Sequence, residues 1–173
     1  MKELILGGVR SGKSRLAEQS ARESGKSVTY IATAAAADAE MEARIAAHRV
    51  RRPASWTLIE EPRALAAALA ALAAPERCLI VECLTLWLTN LLLDDDPGAL
   101  DRERNALLAR LPQLPGHIIF VANETGMGVI PAAALARRFC DEAGPLHQAI
   151  AMHCDRVILC VSGLPCLLKG ALP

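Results

Sequence analysis

Apolar and polar positions along the chain alternate between two textures. Short runs of apolar, mostly branched residues stand between longer stretches with helical spacing. The first such run is 4–6, followed by a Gly-rich turn and a predicted helix at 13–23 that stops near Gly25. A second strand is predicted at 27–32, rich in β-formers. Small residues at 34–37 lead to Asp38, a candidate N-cap, and a helix predicted to about Val50. Acids early in that helix and bases late in it suit the helix dipole. Pro53 ends it.

Further on, strands are predicted at 56–59, 78–81, 118–122 and 157–161. An Ala/Leu-rich helix is expected to open at Pro62 and end before Pro75. Helices are also expected at 84–93, 100–111, 131–139 and 145–153, with a loop at 94–98. Continuous apolar strands between helices indicate a mostly parallel sheet covered on both faces. There is no repeat period and no linker-like stretch, so residues 1–173 are expected to form one domain.

Composition adds limits. Apolar residues make up 53% of the 173, which excludes a disordered chain. Aromatics are only 3%, so the core must be aliphatic. Lys+Arg and Asp+Glu are both 19, so no general electrostatic affinity for nucleic acid or anionic membrane is expected. No apolar run reaches the length of a membrane span, and the N-terminus does not read as a secretory signal. The six cysteines form no CxxC pair and, with no His cluster beside them, no zinc pattern. They read as buried free thiols of a reducing compartment, so a cytoplasmic location is expected.

Residues Gly7, Gly8, Val9, Arg10, Ser11, Gly12, Lys13 and Ser14 fit the pattern G-x-x-x-x-G-K-[ST], between a predicted strand and a predicted helix. Glycines let the backbone wrap so that its N–H groups converge on phosphate oxygens, and the helix N-terminus adds partial positive charge. Lys13 is expected to neutralise the terminal phosphates and Ser14 to ligate Mg²⁺. Glu82 follows a buried strand where a second, metal-organising carboxylate belongs. As a glutamate it reaches further than an aspartate, and direct Mg²⁺ contact is less fixed. Parallel strands present their C-terminal ends at one edge, so Glu82, Asn123 and Glu124 are expected near Lys13.

Met41, Ile45 and His48 share one helical face. By spacing alone His48 reads as a packed core histidine, and Arg44, Arg49, Arg51 and Arg52 as a solvated face. Beside a phosphate-binding loop the same residues suit a triphosphate chain, with a neutral imidazole as a nucleophile toward phosphorus. His117 is expected to be exposed, and His147 and His153 are poorly spaced for sharing a metal.

Several stretches then point one way. These are 7–18, Tyr-Ile-Ala-Thr at 30–33, Met-Glu-Ala-Arg-Ile-Ala-Ala-His-Arg at 41–49, and Glu-Cys-Leu-Thr-Leu-Trp-Leu-Thr-Asn-Leu-Leu at 82–92. Asn-Glu-Thr-Gly-Met-Gly-Val-Ile-Pro at 123–131 and Val-Ile-Leu-Cys-Val-Ser-Gly at 157–163 complete the set. The chain resembles, over almost its whole length, the bifunctional adenosylcobinamide kinases / adenosylcobinamide-phosphate guanylyltransferases of cobalamin biosynthesis.

The resemblance implies a RecA-like P-loop NTPase fold, a homotrimer and two reactions. A nucleoside triphosphate, ATP or GTP, phosphorylates the aminopropanol hydroxyl of adenosylcobinamide. A histidine then takes GMP from GTP and passes it to adenosylcobinamide phosphate. The family's guanylylated histidine falls on His48. Its nucleotide-binding positions fall on 7–14, on Ala32, Thr33 and Ala34, on Arg49, Val50, Arg51 and Arg52, and on Glu60 and Glu82, with Mg²⁺ at Ser14 and Glu82. Some relatives carry a second histidine before the nucleophile, where this chain has Ala47. Glu60, at the end of the third strand, could accept hydrogen bonds from guanine N1 and N2. Two rivals stay open on the residues alone: a plain P-loop kinase without a covalent step, and a RecA-like nucleic-acid-binding module using Arg44 to Arg52.

Overall fold

The computed structural model describes residues 1–34 and 53–172. Its frame is one seven-stranded sheet built from β1 (Lys2–Gly7), β2 (Ser27–Ala32), β3 (Thr57–Glu60), β4 (Arg77–Glu82), β5 (His117–Asn123), β6 (Arg156–Val161) and β7 (Leu164–Lys169). The strand order is β3-β2-β4-β5-β1-β6-β7. All pairings are parallel except β6 with β7. The described helices are α1 (Lys13–Glu23), α2 (Leu65–Leu72), α3 (Leu84–Leu92), α4 (Ala99–Arg110) and α5 (Ala134–His153), with a 3₁₀ turn at Leu111–Gln113.

The period-2 alternation of the strands divides the core. Leu4, Leu6, Leu79, Val81, Ile118 and Phe120 face one layer, where Leu65, Leu69, Trp87, Leu88, Leu107, Leu146 and Ile150 pack on them. Ile5, Ile80, Ile119 and Val121 face the other, against Ala17 and Ala21 of α1. Trp87 is fully buried and donates its indole N–H to the Arg63 carbonyl at 2.8 Å. That satisfies the one polar group of the largest core side chain.

Four expectations need correction. The helices expected at 131–139 and 145–153 are one helix, with Pro145 inside it. Proline removes a hydrogen bond there, but Ala143, Leu146, His147 and Ile150 are buried on the adjacent turns, and this packing carries the helix through. α2 begins at Leu65 rather than Pro62, because the Glu61 carboxylate accepts the Arg63 and Ala64 N–H groups at 2.9 and 2.7 Å and forms the turn before it. β7 had no strand signal: it contains Pro165, and all six of its residues are exposed. An antiparallel edge strand tolerates both.

The fourth correction is His117, which is 5% exposed. It sits on β5 and contacts Glu3 Oε1 of β1 at 2.5 Å. Arg156 of β6 donates from Nε to the other Glu3 oxygen at 2.9 Å, and Ser20 of α1 donates to Glu3 Oε1 at 2.8 Å. Burial acts to raise the Glu3 pKa, but the hydrogen bonds from His117, Ser20 and Arg156 outweigh it and hold the carboxyl below its ordinary value.

Candidate active site

The parallel strands end along one edge. Register places Ala32 opposite both Glu60 and Glu82, and Gly7 opposite both Asn123 and Cys160. The loop from Gly8 to Gly12 leaves β1 at this edge and turns into α1. Its turn is closed by the Ser11 N–H donating to the Gly8 carbonyl at 3.2 Å. Arg10 and Gly12 both have positive φ, 56° and 97°. No side chain caps the N-terminus of α1, so its first-turn N–H groups face the loop without protein acceptors from a cap. Gly7 is required by close approach: a Cβ there would meet Ser11 Oγ at 2.5 Å and the Cys160 carbonyl at 2.6 Å.

Lys13 is 8% exposed and donates from Nζ to the Gly8 carbonyl at 3.1 Å, so its ammonium lies back across the loop. Ser14 Oγ donates to Glu82 Oε1 at 2.5 Å. β5 lies between β1 and β4, yet the longer glutamate closes that gap. A hydroxyl and a carboxylate in contact are hard oxygen donors, the set that Mg²⁺ uses when it takes most of its shell from water and phosphate. Among the described residues no cluster of three or more His, Cys, Asp or Glu forms a cage by itself. Ser14 and Glu82 are the residues that could hold such a metal.

Thr33 is fully buried and is tied to the same edge. Its N–H donates to the Glu82 carbonyl at 3.0 Å, and its hydroxyl both donates to the Cys83 carbonyl at 2.7 Å and accepts the Cys83 N–H at 2.8 Å. The Asn90 amide donates to the Thr33 carbonyl at 2.8 Å and the Pro62 carbonyl at 3.0 Å, linking α3 to the ends of β2 and β3. Asn123 and Glu124 also arrive here. The Glu124 N–H donates to the Gly7 carbonyl at 3.1 Å, and the Asn123 N–H donates to Thr85 Oγ1 at 2.7 Å.

The structure thus gathers 7–14, Thr33, Glu82, Asn123 and Glu124. Glu60 stands apart: it is exposed at the end of β3, four strands from β1, or about 19 Å at the usual strand spacing. His48 and Arg49, Val50, Arg51 and Arg52 lie outside the described residues. Sequence reasoning missed the β6–β7 turn, whose Gly163 N–H donates to the Ser11 carbonyl at 2.8 Å, and Cys160, whose Sγ is 3.0 Å from the same oxygen. The signal available was Ser-Gly at 162–163, a turn dipeptide.

Comparison with known proteins bears on the chemistry this edge serves. Among solved structures, a protein of Pyrococcus horikoshii OT3 matches with a TM-score of 0.53 over 99% of this chain and 87% of that one, at 9% identity. The RadB recombinase matches at 0.51 over 91% of this chain and 73% of that one, at 15% identity. These show the fold alone, the RecA-like P-loop architecture. The bifunctional adenosylcobalamin biosynthesis protein CobP of Pseudomonas aeruginosa is 65% identical over 170 residues, covering 98% of each chain. CobU of Salmonella typhimurium, a bifunctional adenosylcobalamin biosynthesis protein, is 40% identical, and its namesake in Escherichia coli is 38% identical. Each match covers 96% of this chain and 98% of the relative. The family described as cobinamide kinase / cobinamide phosphate guanyltransferase matches residues 3–168. With the family model matching residues 3–168 and the relatives matched over 96% or more of this chain, the chain belongs to the cobinamide kinase / cobinamide phosphate guanyltransferase family.

Proposed function

We propose that the chain carries out two successive transfers on one corrinoid substrate, the second through a histidine-bound nucleotide. Its family makes it a bifunctional enzyme of cobalamin biosynthesis, a kinase and a guanylyltransferase. In the first reaction the aminopropanol hydroxyl of adenosylcobinamide attacks the γ-phosphorus of ATP or GTP. The nucleoside diphosphate leaves and the hydroxyl proton is lost. In the second, an imidazole nitrogen of His48 attacks the α-phosphorus of GTP and pyrophosphate departs. A phosphate oxygen of adenosylcobinamide phosphate then attacks the histidine-bound phosphorus, freeing the imidazole and giving adenosylcobinamide-GDP.

The observation that supports this most is the contact of Ser14 with Glu82 beside the folded-back Lys13. Lys13 and the N–H groups of the loop orient the phosphates and offset charge that develops in transfer. Bound with the nucleotide at Ser14 and Glu82, Mg²⁺ would supply further charge neutralisation on the phosphate oxygens. Glu60 reads the guanine edge in this proposal, and Arg49, Arg51 and Arg52 steady the triphosphate. The working form is a cytoplasmic homotrimer that needs neither nucleic acid nor membrane. Among the described residues no helix is long and apolar enough to cross a membrane.

The test is incubation with α-labelled GTP and Mg²⁺, followed by denaturing electrophoresis and peptide mapping. Label is expected on the peptide containing His48, labile in acid and stable in mild alkali. His48→Ala should lose the adduct and keep the kinase step, which needs no protein nucleophile. Label on His147 or His153, or persistence of the adduct in the variant, overturns the assignment.

A further inference from the structure

We propose that the β6–β7 hairpin positions the phosphate-binding loop, with Gly163 and Cys160 setting the orientation of the Ser11–Gly12 peptide. This rests on the reading that residues 7–14 hold nucleotide phosphates. The Ser11 carbonyl meets two groups of the hairpin, the Gly163 N–H at 2.8 Å and Cys160 Sγ at 3.0 Å. The Ser11–Gly12 peptide is trans, and in a trans peptide the C=O and the following N–H point in opposite directions. Holding the carbonyl on the hairpin therefore turns the Gly12 N–H away from it, to the side on which phosphate would lie. A flip of this peptide would present a carbonyl oxygen to phosphate instead of a donor.

The hairpin is shaped for the contact. Ser162 and Gly163 have φ of 52° and 82° between the paired residues Val161 and Leu164, the geometry of a primed two-residue turn. A Cβ on Gly12 would lie 3.2 Å from the Gly163 Cα, so the two backbones are in close contact. A Cβ on Gly163 would have only Arg15 Nη2 nearby, at 3.2 Å, the movable end of a side chain. Substitution at 163 is thus resisted by backbone conformation rather than by lack of space. Asparagine tolerates positive φ, and a β-branched residue does not.

The experiment measures GTP affinity with Mg²⁺ by calorimetry, the nucleotide KM and kcat of both reactions, and a thermal melt. The proteins are wild type, Lys13→Ala, Gly163→Val, Gly163→Asn and Cys160→Ala. Gly163→Val is expected to weaken GTP binding about tenfold and raise nucleotide KM in both reactions, the scale of one lost charge-assisted hydrogen bond. Gly163→Asn should return to within about threefold of wild type, which a general loss of packing would not do. Cys160→Ala should weaken binding about threefold while the protein stays folded in the melt. A folded Gly163→Val with wild-type affinity, or a Gly163→Asn as weak as the valine variant, overturns the proposal. If Gly163→Val does not fold, Cys160→Ala decides, and wild-type affinity there overturns it. Should Lys13→Ala also keep wild-type affinity, the phosphate reading itself fails and the hairpin's role falls with it. If Lys13→Ala loses affinity while folded Gly163→Val keeps it, only the hairpin's role is overturned.

Discussion

Replacing Lys13 with alanine removes an ammonium that lies across the loop, 3.1 Å from the Gly8 carbonyl. Both reactions should slow, with kcat/KM falling by about 2–4 kcal/mol in transition-state stabilisation. Steady-state kinetics on each step checks this, and wild-type rates would remove the loop from the mechanism. On the proposal that Glu60 accepts from the guanine edge, Glu60→Ala should lower the preference for GTP over ATP by about tenfold. The kcat/KM ratio for the two nucleotides is the measurement, and an unchanged ratio shows that Glu60 does not read the base. At this scale much of the site was legible. A phosphate-binding loop is contiguous, so its spacing is visible without a fold. Thr33 could be placed only by likeness, since the hydrogen bonds that fix it come from residues 50 and 57 positions away.

Between elements, one buried ionic cluster ties β1, β5, β6 and α1 through Glu3, His117, Arg156 and Ser20. The Glu3 pKa is depressed in the folded chain, so the unfolded state binds the proton more readily. Its stabilisation is complete above the unfolded carboxyl pKa and is lost as pH falls through the folded value. Glu3→Gln should therefore flatten the acid limb of the stability–pH curve. At neutral pH it should cost about 3–5 kcal/mol, because Arg156 is left buried without its carboxylate. Urea melts from pH 3 to 8 on both proteins check this, and parallel acid limbs would show that Glu3 is not the titrating group. The missed β7 belongs here too. An edge strand is held by its neighbour's backbone, and its own sequence carries little alternation.

For the whole molecule, burial is reported by the thiols. Cys78, Cys154 and Cys160 are buried, and Cys166 is exposed. Burial pushes the Cys78 thiol up to about 11 and the Cys154 thiol up to about 12. Aromatic-disulfide labelling at pH 8 should modify Cys166 quickly in the native protein. Cys78 and Cys154 should react only as fast as the chain opens, since thiolate is the reactive form. Mass-mapped labelling with and without urea tests this, and rapid native labelling of Cys78 would mean that the sheet opens locally under α1.

Periodicity within a few residues was enough to order most strands and helices, and the loop at 7–14 with Glu82 at a strand end followed from that order. These are local properties: alternation and helical spacing are written into neighbouring side chains. Which strands lie side by side is not local. Crossover rules restrict the arrangements but leave several, and only the folded chain inserts β5 between β1 and β4. That insertion makes Glu82 reach Ser14 across a strand, and it brings His117 and Arg156 onto Glu3 from 114 and 153 residues away. The hairpin against Ser11 was decided in the same way, by the packing of β6 beside β1.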